Sequence, residues 1–405
     1  MQTHEGKEYN ETQFETQLES SKVAMKTSEC LLILGASSRA AAFSALRAGL
    51  CPECIDLFAD IDLSALCKVT RIPSQSYPEG LLDLAQDALP GPWLYTGALE
   101  NRPALIKLIS GIRNLWGNSD RRLNLVRDPV QLRECLAASG FPFPRIETSE
   151  QSLPTDGSWV LKPYQSSGGT GIERWVGQVR GERKDRIYYQ QVVEGTPCAA
   201  IYVGNGEKSI LLGVTEQLVG LDFLHAGPFS YCGSLGPMKL EGETLARFEL
   251  LGECLVAKFR LRGLFGVDAI LSGGQPWLME VNPRYTASVE VLEYASGMKA
   301  MALHRAACLR NALDYKCEPY ADSSVIGKAI LFAGRKVVQV PPSVEGLLSH
   351  GSPDELPDYA DIPQPGTSIK EGWPIISAFA EESNREKCLA ALKAKCHEVE
   401  AMLAC

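Results

Sequence analysis

Two short runs, Gly266-Val-Asp-Ala-Ile-Leu271 and Trp277-Leu-Met-Glu-Val-Asn282, flank Ser272-Gly-Gly-Gln275. That pattern predicts two strands joined by a hairpin centred on Gly274, which pairs Asp268 with Glu280. Asn282, two residues further on, then shares the Glu280 face. Two carboxylates directly opposed across a ladder repel, so an acid pair with an added amide oxygen calls for a cation. An all-oxygen ligand set suits Mg²⁺ or Mn²⁺, which complete their shells with water and substrate phosphates. The competing reading is a solvated acidic face, against which the apolar neighbours argue. Pro283 ends the strand, and Arg284 places a guanidinium fork beside the cation and any phosphate it holds.

Two further segments carry chemistry less sharply. Trp159-Val-Leu-Lys-Pro-Tyr-Gln-Ser-Ser-Gly-Gly-Thr-Gly171 is an apolar strand bearing Lys162 that runs into a Ser- and Gly-rich loop. Such a loop can turn backbone N–H groups onto an anion, and equally it can be a plain hairpin turn. It is not the GxxxxGK[ST] phosphate loop, because its Lys precedes the glycines. Tyr188-Tyr-Gln-Gln-Val-Val-Glu-Gly-Thr-Pro197 is a strand that breaks with Glu194 at the break. It can present main-chain groups to a base and a carboxylate to a ribose, or be a strand and turn alone.

These segments need a large scaffold, and 405 residues provide for two to three domains. Residues 1–28 are polar and read as a flexible arm without a secretory apolar region. Alternating strand and helix patterns from Cys30 to Arg113 predict a parallel sheet covered on both faces. From Ser158 the period becomes mostly two, giving an antiparallel α+β region with strands that include Ile172–Val176 and Ile187–Val193. Helices are expected over Glu243–Phe259, Val289–Leu313 and Ser383–Leu403. The division is 29–124, a Rossmann-like N-terminal domain; 125–320, the site-bearing domain, with a lid over about 145–191; and 321–405, a small C-terminal α+β subdomain.

Several function classes fall away. The formal charge of −9 provides no broad positive field for nucleic acid. The longest uncharged stretch, Phe223 to Met238, is interrupted by Gly and Pro and predicts no membrane span. Thirteen scattered cysteines are an odd number, which favours a reducing, cytoplasmic setting. Cys51 and Cys54 form a CxxC without the second half of a zinc site. The turn Gly35-Ala-Ser-Ser-Arg39 has one glycine where a dinucleotide fingerprint needs three, so an NAD-dependent oxidoreductase remains only as an alternative.

The order of the three segments resembles the ATP-grasp superfamily, over roughly Cys30 to Leu313. The Ala360-Asp-Ile-Pro, Pro365-Gly-Thr and Gly372-Trp-Pro-Ile375 segments are similar to the tails of some ATP-grasp ligases. The resemblance implies ATP and Mg²⁺ (or Mn²⁺) as cofactors. It implies that Lys162 binds the α and β phosphates, and that Ser166, Ser167, Gly168, Gly169, Thr170 and Gly171 close over the β and γ phosphates. Gln190, Gln191, Val192 and Val193 would face adenine, with Glu194 near adenine or ribose. Asp268, Glu280 and Asn282 would hold two metal ions. Arg127 stands where the family commonly has a second phosphate-contacting Lys.

Arg284 is then the expected acyl-phosphate contact, with Tyr285, Ser288 and Glu290 as substrate contacts. The implied activity is ADP-forming carboxylate–amine ligation on a small metabolite or cofactor precursor. Other ATP-grasp phosphotransfer or carboxylation chemistry and a non-catalytic nucleotide-binding role are the alternatives. The expected partners are small-molecule carboxylate and amine substrates, and a homodimer is compatible with this reading. No residue reads as a general base.

Overall fold

The computed structural model describes residues 29–178, 186–310, 312–313, 315, 324–337, 339–349 and 351–404. The arm expected over 1–28, residues 179–185 of the expected lid and the boundary drawn at 320/321 lie outside them.

Strands β1 (Cys30–Gly35), β2 (Cys51–Asp56), β3 (Lys68–Arg71) and β4 (Trp93–Tyr95) form a wholly parallel sheet in the order β3-β2-β1-β4. The unbroken apolar run of β1 follows from burial on both faces. Leu31 and Ile33 pack with Ala41, Ala42 and Ala45 of helix α1 (Arg39–Arg47). A second short helix, α2 (Ile61–Leu66), links β2 to β3. Leu32 and Leu34 join Leu81 and Ala85 of α3 (Leu81–Asp87) and Ile106 and Ile109 of α4 (Pro103–Ser110) on the other face. Each such side chain contributes about 1.5–3 kcal/mol when fully buried. Strand β3 carries no sequence signal, since Lys-Val-Thr-Arg is a short polar edge strand.

Helices α5 (Asp120–Val126) and α6 (Pro129–Ala138) lead into a small antiparallel sheet. It contains β5 (Ile146–Glu147), β6 (Trp159–Pro163), β7 (Glu173–Arg174) and β8 (Ile187–Gln191), ordered β5-β8-β6-β7. The strand expected over Ile172–Val176 is only the two residues of β7, and that over Ile187–Val193 stops at Gln191.

Among the described residues, the remaining strands make one antiparallel sheet ordered β13-β12-β9-β10-β11-β14-β16-β15. They are β9 (Thr196–Asn205), β10 (Ser209–Val219), β11 (Tyr231–Gly236), β12 (Arg262–Ser272), β13 (Gln275–Asn282), β14 (Val325–Phe332), β15 (Tyr359–Ala360) and β16 (Pro374–Glu382). The C-terminal strands extend this sheet and do not build one of their own. Strand β11 is glycine-broken in sequence because β14 lies close: a Cβ at Gly233 would stand 2.2 Å from the Lys328 carbonyl oxygen. Helix α7 (Gly242–Phe259) matches its periodicity. The single helix expected over Val289–Leu313 is instead α8 (Ala287–Ser296) and α9 (Ala300–Arg310), divided at Gly297, whose φ of +70° ends the first. Helix α10 (Arg385–Ala404) closes the described chain.

Candidate active site

Strands β12 and β13 pair Asp268 with Glu280, but the hairpin departs from the expected shape. It turns on two residues, Gly273 and Gly274, at φ +57° and +73°, the positive φ values a two-residue hairpin turn requires. The pairing therefore starts one residue out of the expected register, and a bulge beside Asp268 restores it. Met279 is the extra residue. Its carbonyl oxygen accepts a hydrogen bond from Lys162 Nζ at 3.4 Å, so the bulge aims main-chain polarity at the cleft.

Asp268 accepts hydrogen bonds from Gln217 Nε2 and Asn282 Nδ2, both at 2.9 Å. Burial, and then the facing Glu280 carboxylate, raise its pKa to about 6 against the help of those amides and Arg284. Glu280 is ion-paired with Arg127. Asn282 Oδ1 accepts from Arg284 Nη2 at 3.4 Å. Two carboxylates and an amide oxygen, with one carboxyl raised by burial and by the carboxylate facing it, fit a hard divalent cation. Among the described residues, no three His, Cys, Asp or Glu side chains group as a metal site, so these three oxygens would have to share a cation with ligands from outside the chain.

Lys162, 5% exposed, reaches from β6 to Gln190 Oε1 at 3.1 Å. Arg127, at the C-terminal end of α5, bridges the strands to the loop. Besides Glu280 it donates to the Ser166 carbonyl at 2.8 Å and Asn101 Oδ1 at 3.2 Å. Arg127, Lys162, Ser166 and Glu280 thus line one cleft. Within the Gly-rich loop, Gly168, Gly169 and Gly171 have φ of +60°, +82° and +77°. A Cβ at Gly169 would lie 1.8 Å from the Phe229 carbonyl oxygen, so glycine is required there. Ser167 and Thr170 close a turn through Thr170 N–H to the Ser167 carbonyl. Gln190 and Gln191 belong to β8. Val192 donates to the Ser158 carbonyl, and Val193 and Glu194 lie in the connection between the small sheet and β9.

Arg284 makes a two-pronged ion pair with Glu100, 2.7 Å from each nitrogen to its oxygen. Glu100 is buried, and Arg284 holds its carboxyl below the usual range against burial. Sequence reading missed Glu100, Asn101 and Gln217, because nothing near them in the chain shows where they arrive. Arg284 and Tyr285 line a cavity of about 520 Å³ that also takes in Asp60, Lys328 and Asp361.

Two expected substrate contacts, Ser288 and Glu290, have partners within the protein. Ser288 is buried with its Oγ 2.9 Å from Ser234 Oγ, and Glu290 is fully buried between Arg39 and Lys328. Helix α8 begins at Ala287 and buries both side chains, neither of which is among the residues lining the cavity.

The Gly35–Arg39 turn is spoken for by the protein itself. Ser38 N–H and Oγ both donate to Asp56 Oδ2 at 2.6 Å, which puts a carboxylate at the helix start where a phosphate would sit. Of the CxxC pair, Cys51 is exposed and Cys54 buried, the opposed orientation expected three residues apart on a strand.

A Lys-bearing strand and Gly loop in a small sheet thus face an acidic hairpin of a larger one across a cleft. Residues 126–288 match the ATP-grasp domain family. An uncharacterized protein of Methanocaldococcus jannaschii is 24% identical over 392 residues, covering 91% of this chain and 92% of the relative. In fold the chain is similar to an L-amino acid ligase from Bacillus licheniformis, with TM-score 0.66 and 16% identity over 93% of this chain and 98% of that one. It is likewise similar to a carboxyaminoimidazole ribonucleotide synthase from Aspergillus clavatus complexed with ATP, with TM-score 0.66 and 14% identity over 93% and 99%. No helix among the described residues is long and apolar enough to cross a membrane.

Proposed function

We propose that the protein is an ATP-dependent carboxylate–amine ligase that forms an amide through an acyl phosphate and releases ADP and phosphate. The observation that carries this is the placement of Arg284. It borders the acidic hairpin through Asn282 and also lines the 520 Å³ cavity, so one guanidinium serves both a phosphate and an organic substrate. Structures of similar fold include one named as an amino acid ligase and a synthase complexed with ATP.

In this reading Lys162 and Arg127 hold the phosphates, the Gly loop shields them from water, and Val193 with Glu194 borders the adenosine. Asp268, Glu280 and Asn282 would hold magnesium, whose charge neutralises the transferring phosphoryl group when it is bound. Glu100 fixes the Arg284 fork, which then contacts the acyl phosphate and the oxyanion formed when the amine attacks. The substrates are a small-molecule carboxylate and an amine.

The test is turnover with an ¹⁸O-labelled carboxylate panel, with hydroxylamine as a trapping amine. The expected result is an acyl hydroxamate, ADP, and phosphate carrying one ¹⁸O. AMP with pyrophosphate, or unlabelled phosphate, would overturn the mechanism.

A further inference from the structure

The cavity that starts at Arg284 has the dimensions of a small-molecule site. Its walls come from loops at the C-terminal edge of the parallel sheet, from residues 284–287, from β14, and from the chain on either side of the start of β16. Ile72, Ile330, Ile369 and Trp373 make much of that wall apolar. Two carboxyls, Asp60 and Asp361, line it together with Arg71, Arg284, Lys328 and Lys370, and the first of them stands out.

Asp60 lines the cavity and is only 6% exposed. It occupies the N-cap position of α2, yet its side chain makes no capping hydrogen bond. Asp128, at the same position of α6, does cap, accepting from Val130 N–H at 2.9 Å. The carboxyls around Asp60 are all partnered. Asp56 accepts from Ser38, Phe58 and Ala59; Asp62 accepts from the main chain of Asp361 and Ile362; Asp361 is paired with Arg39 and Lys328. Among the described residues, the Asp60 carboxylate has no hydrogen-bond or ion-pair partner.

A buried carboxylate in that state is costly unless a donor arrives. Burial, and then the negative charge of Asp361, Asp62 and Asp56, push its pKa well above the usual carboxylate range, with Arg39 opposing. What Asp60 lacks is a donor of its own, since Lys328 is committed to Glu290 and Asp361 and Arg39 to Asp62, Glu290 and Asp361. An amino group is the complement of Asp60, and Arg71, Arg284 and Lys370 on the same lining leave a place for an anionic group beside it.

We infer that this cavity binds the amine substrate, a compound with an apolar or aromatic body, by placing its amino group on Asp60 and its body against Ile330 and Trp373. The word substrate rests on the ligase reading, but the binding itself does not.

The experiment is calorimetric titration of the full chain, without nucleotide, using phenethylamine, N-acetylphenethylamine and 3-phenylpropanoate. Phenethylamine is expected to saturate one site, with the other two at least 10-fold weaker. Asp60→Asn should weaken phenethylamine at least 10-fold and erase the discrimination, while Mg-ATP titrates as in wild type. Ile330→Trp, which fills the cavity without touching Asp60, should weaken phenethylamine as well, and it decides the matter if Asp60→Asn does not fold. Phenethylamine binding no tighter than its acetyl derivative, or unmoved by both variants, overturns the inference. Tightest binding by 3-phenylpropanoate overturns it too, by giving the cavity to the acyl donor. Failure of the ligase reading looks different: amine binding stays intact while Mg-ATP fails to bind.

Discussion

Glu290 and Asp268 are both carboxyls held inside the protein, and their environments push them in opposite directions. Glu290 is fully buried, which by itself would raise its pKa, but Arg39 and Lys328 overcome burial and hold it at about 2. Asp268 is partly buried opposite another carboxylate, and burial and Glu280 hold it at about 6. One centre is balanced by the chain's own cations and joins α1, α8 and β14 into a unit. In the other, Glu280 is paired with Arg127, but among the described residues Asp268 is held by two amides and by no ion pair. Charge that the fold balances internally is doing structural work, and charge left unbalanced in a cleft marks where a ligand completes the site.

The comparison breaks first at Asp268→Asn. Turnover should fall below detection, and the stabilisation that Mg-ATP confers by mass action should vanish. Apo stability near neutral pH should equal or exceed that of wild type, because the variant removes one member of a repulsive pair. Urea melts with and without Mg-ATP check this, and an apoprotein destabilised by several kcal/mol would show Asp268 to be structural. Glu290→Gln should do the reverse. It leaves Arg39 and Lys328 short of a counter-charge, for which breaking a buried pair costs about 3–5 kcal/mol. In this variant Mg-ATP should still bind to whatever fraction folds.

How much of this was legible follows from distance along the chain. Asp268 and Glu280 could be paired in advance because a hairpin turn lies between them. The pairing held although its premise was off: the two-residue turn shifts the register by one and the bulge at Met279 shifts it back. Lys162 and its Gly loop are also contiguous in sequence. The ion pair of Glu290 could not be foreseen because its partner Arg39 stands 251 residues away and has no local signature. Glu100, 184 residues from Arg284, was missed for the same reason. Asp60 resembles any helix-capping Asp until the absence of a cap is seen. Strands β3 and β11 escaped because an edge strand and a glycine-broken strand lack the alternation that betrays a half-buried one.

Titration sharpens the contrast between the two carboxyls. Asp268 has a folded pKa raised from 3.8 to about 6, so its contribution to stability is present below about 3.8 and lost as pH rises through about 6. Two pKa units set a ceiling of about 3 kcal/mol, reduced by partial exposure. Glu290, lowered from 4.5 to about 2, contributes above 4.5 and loses it as pH falls toward 2. Apo wild type minus Asp268→Asn should therefore favour wild type progressively as pH falls from 6 to 4, measured by denaturant melts. Over the same window Mg²⁺ affinity should fall, since the cation must displace the Asp268 proton.

The smallest expected effect is at Gln217, whose Nε2 donates to Asp268 Oδ1 at 2.9 Å from the neighbouring region of the same sheet. A hydrogen bond to a charged group is worth about 1.5–3 kcal/mol, or roughly one to two pKa units. Removing it raises the Asp268 pKa further, because the amide stabilises only the ionised form. Gln217→Ala should accordingly move the pH midpoint of Mg²⁺ binding upward and weaken the metal at neutral pH by about 10–100-fold, the usual cost of losing a partner that orients a ligand. Phosphoryl-transfer machinery elsewhere is untouched, so turnover at saturating Mg²⁺ and raised pH should recover most of its wild-type value. A merely structural Gln217 would instead lower the melting temperature and leave the pH midpoint in place. The separating readout is that midpoint: if it stays put in a well-folded variant, the amide does not tune Asp268, and the unbalanced charge of this centre must be set by Glu280 and burial alone.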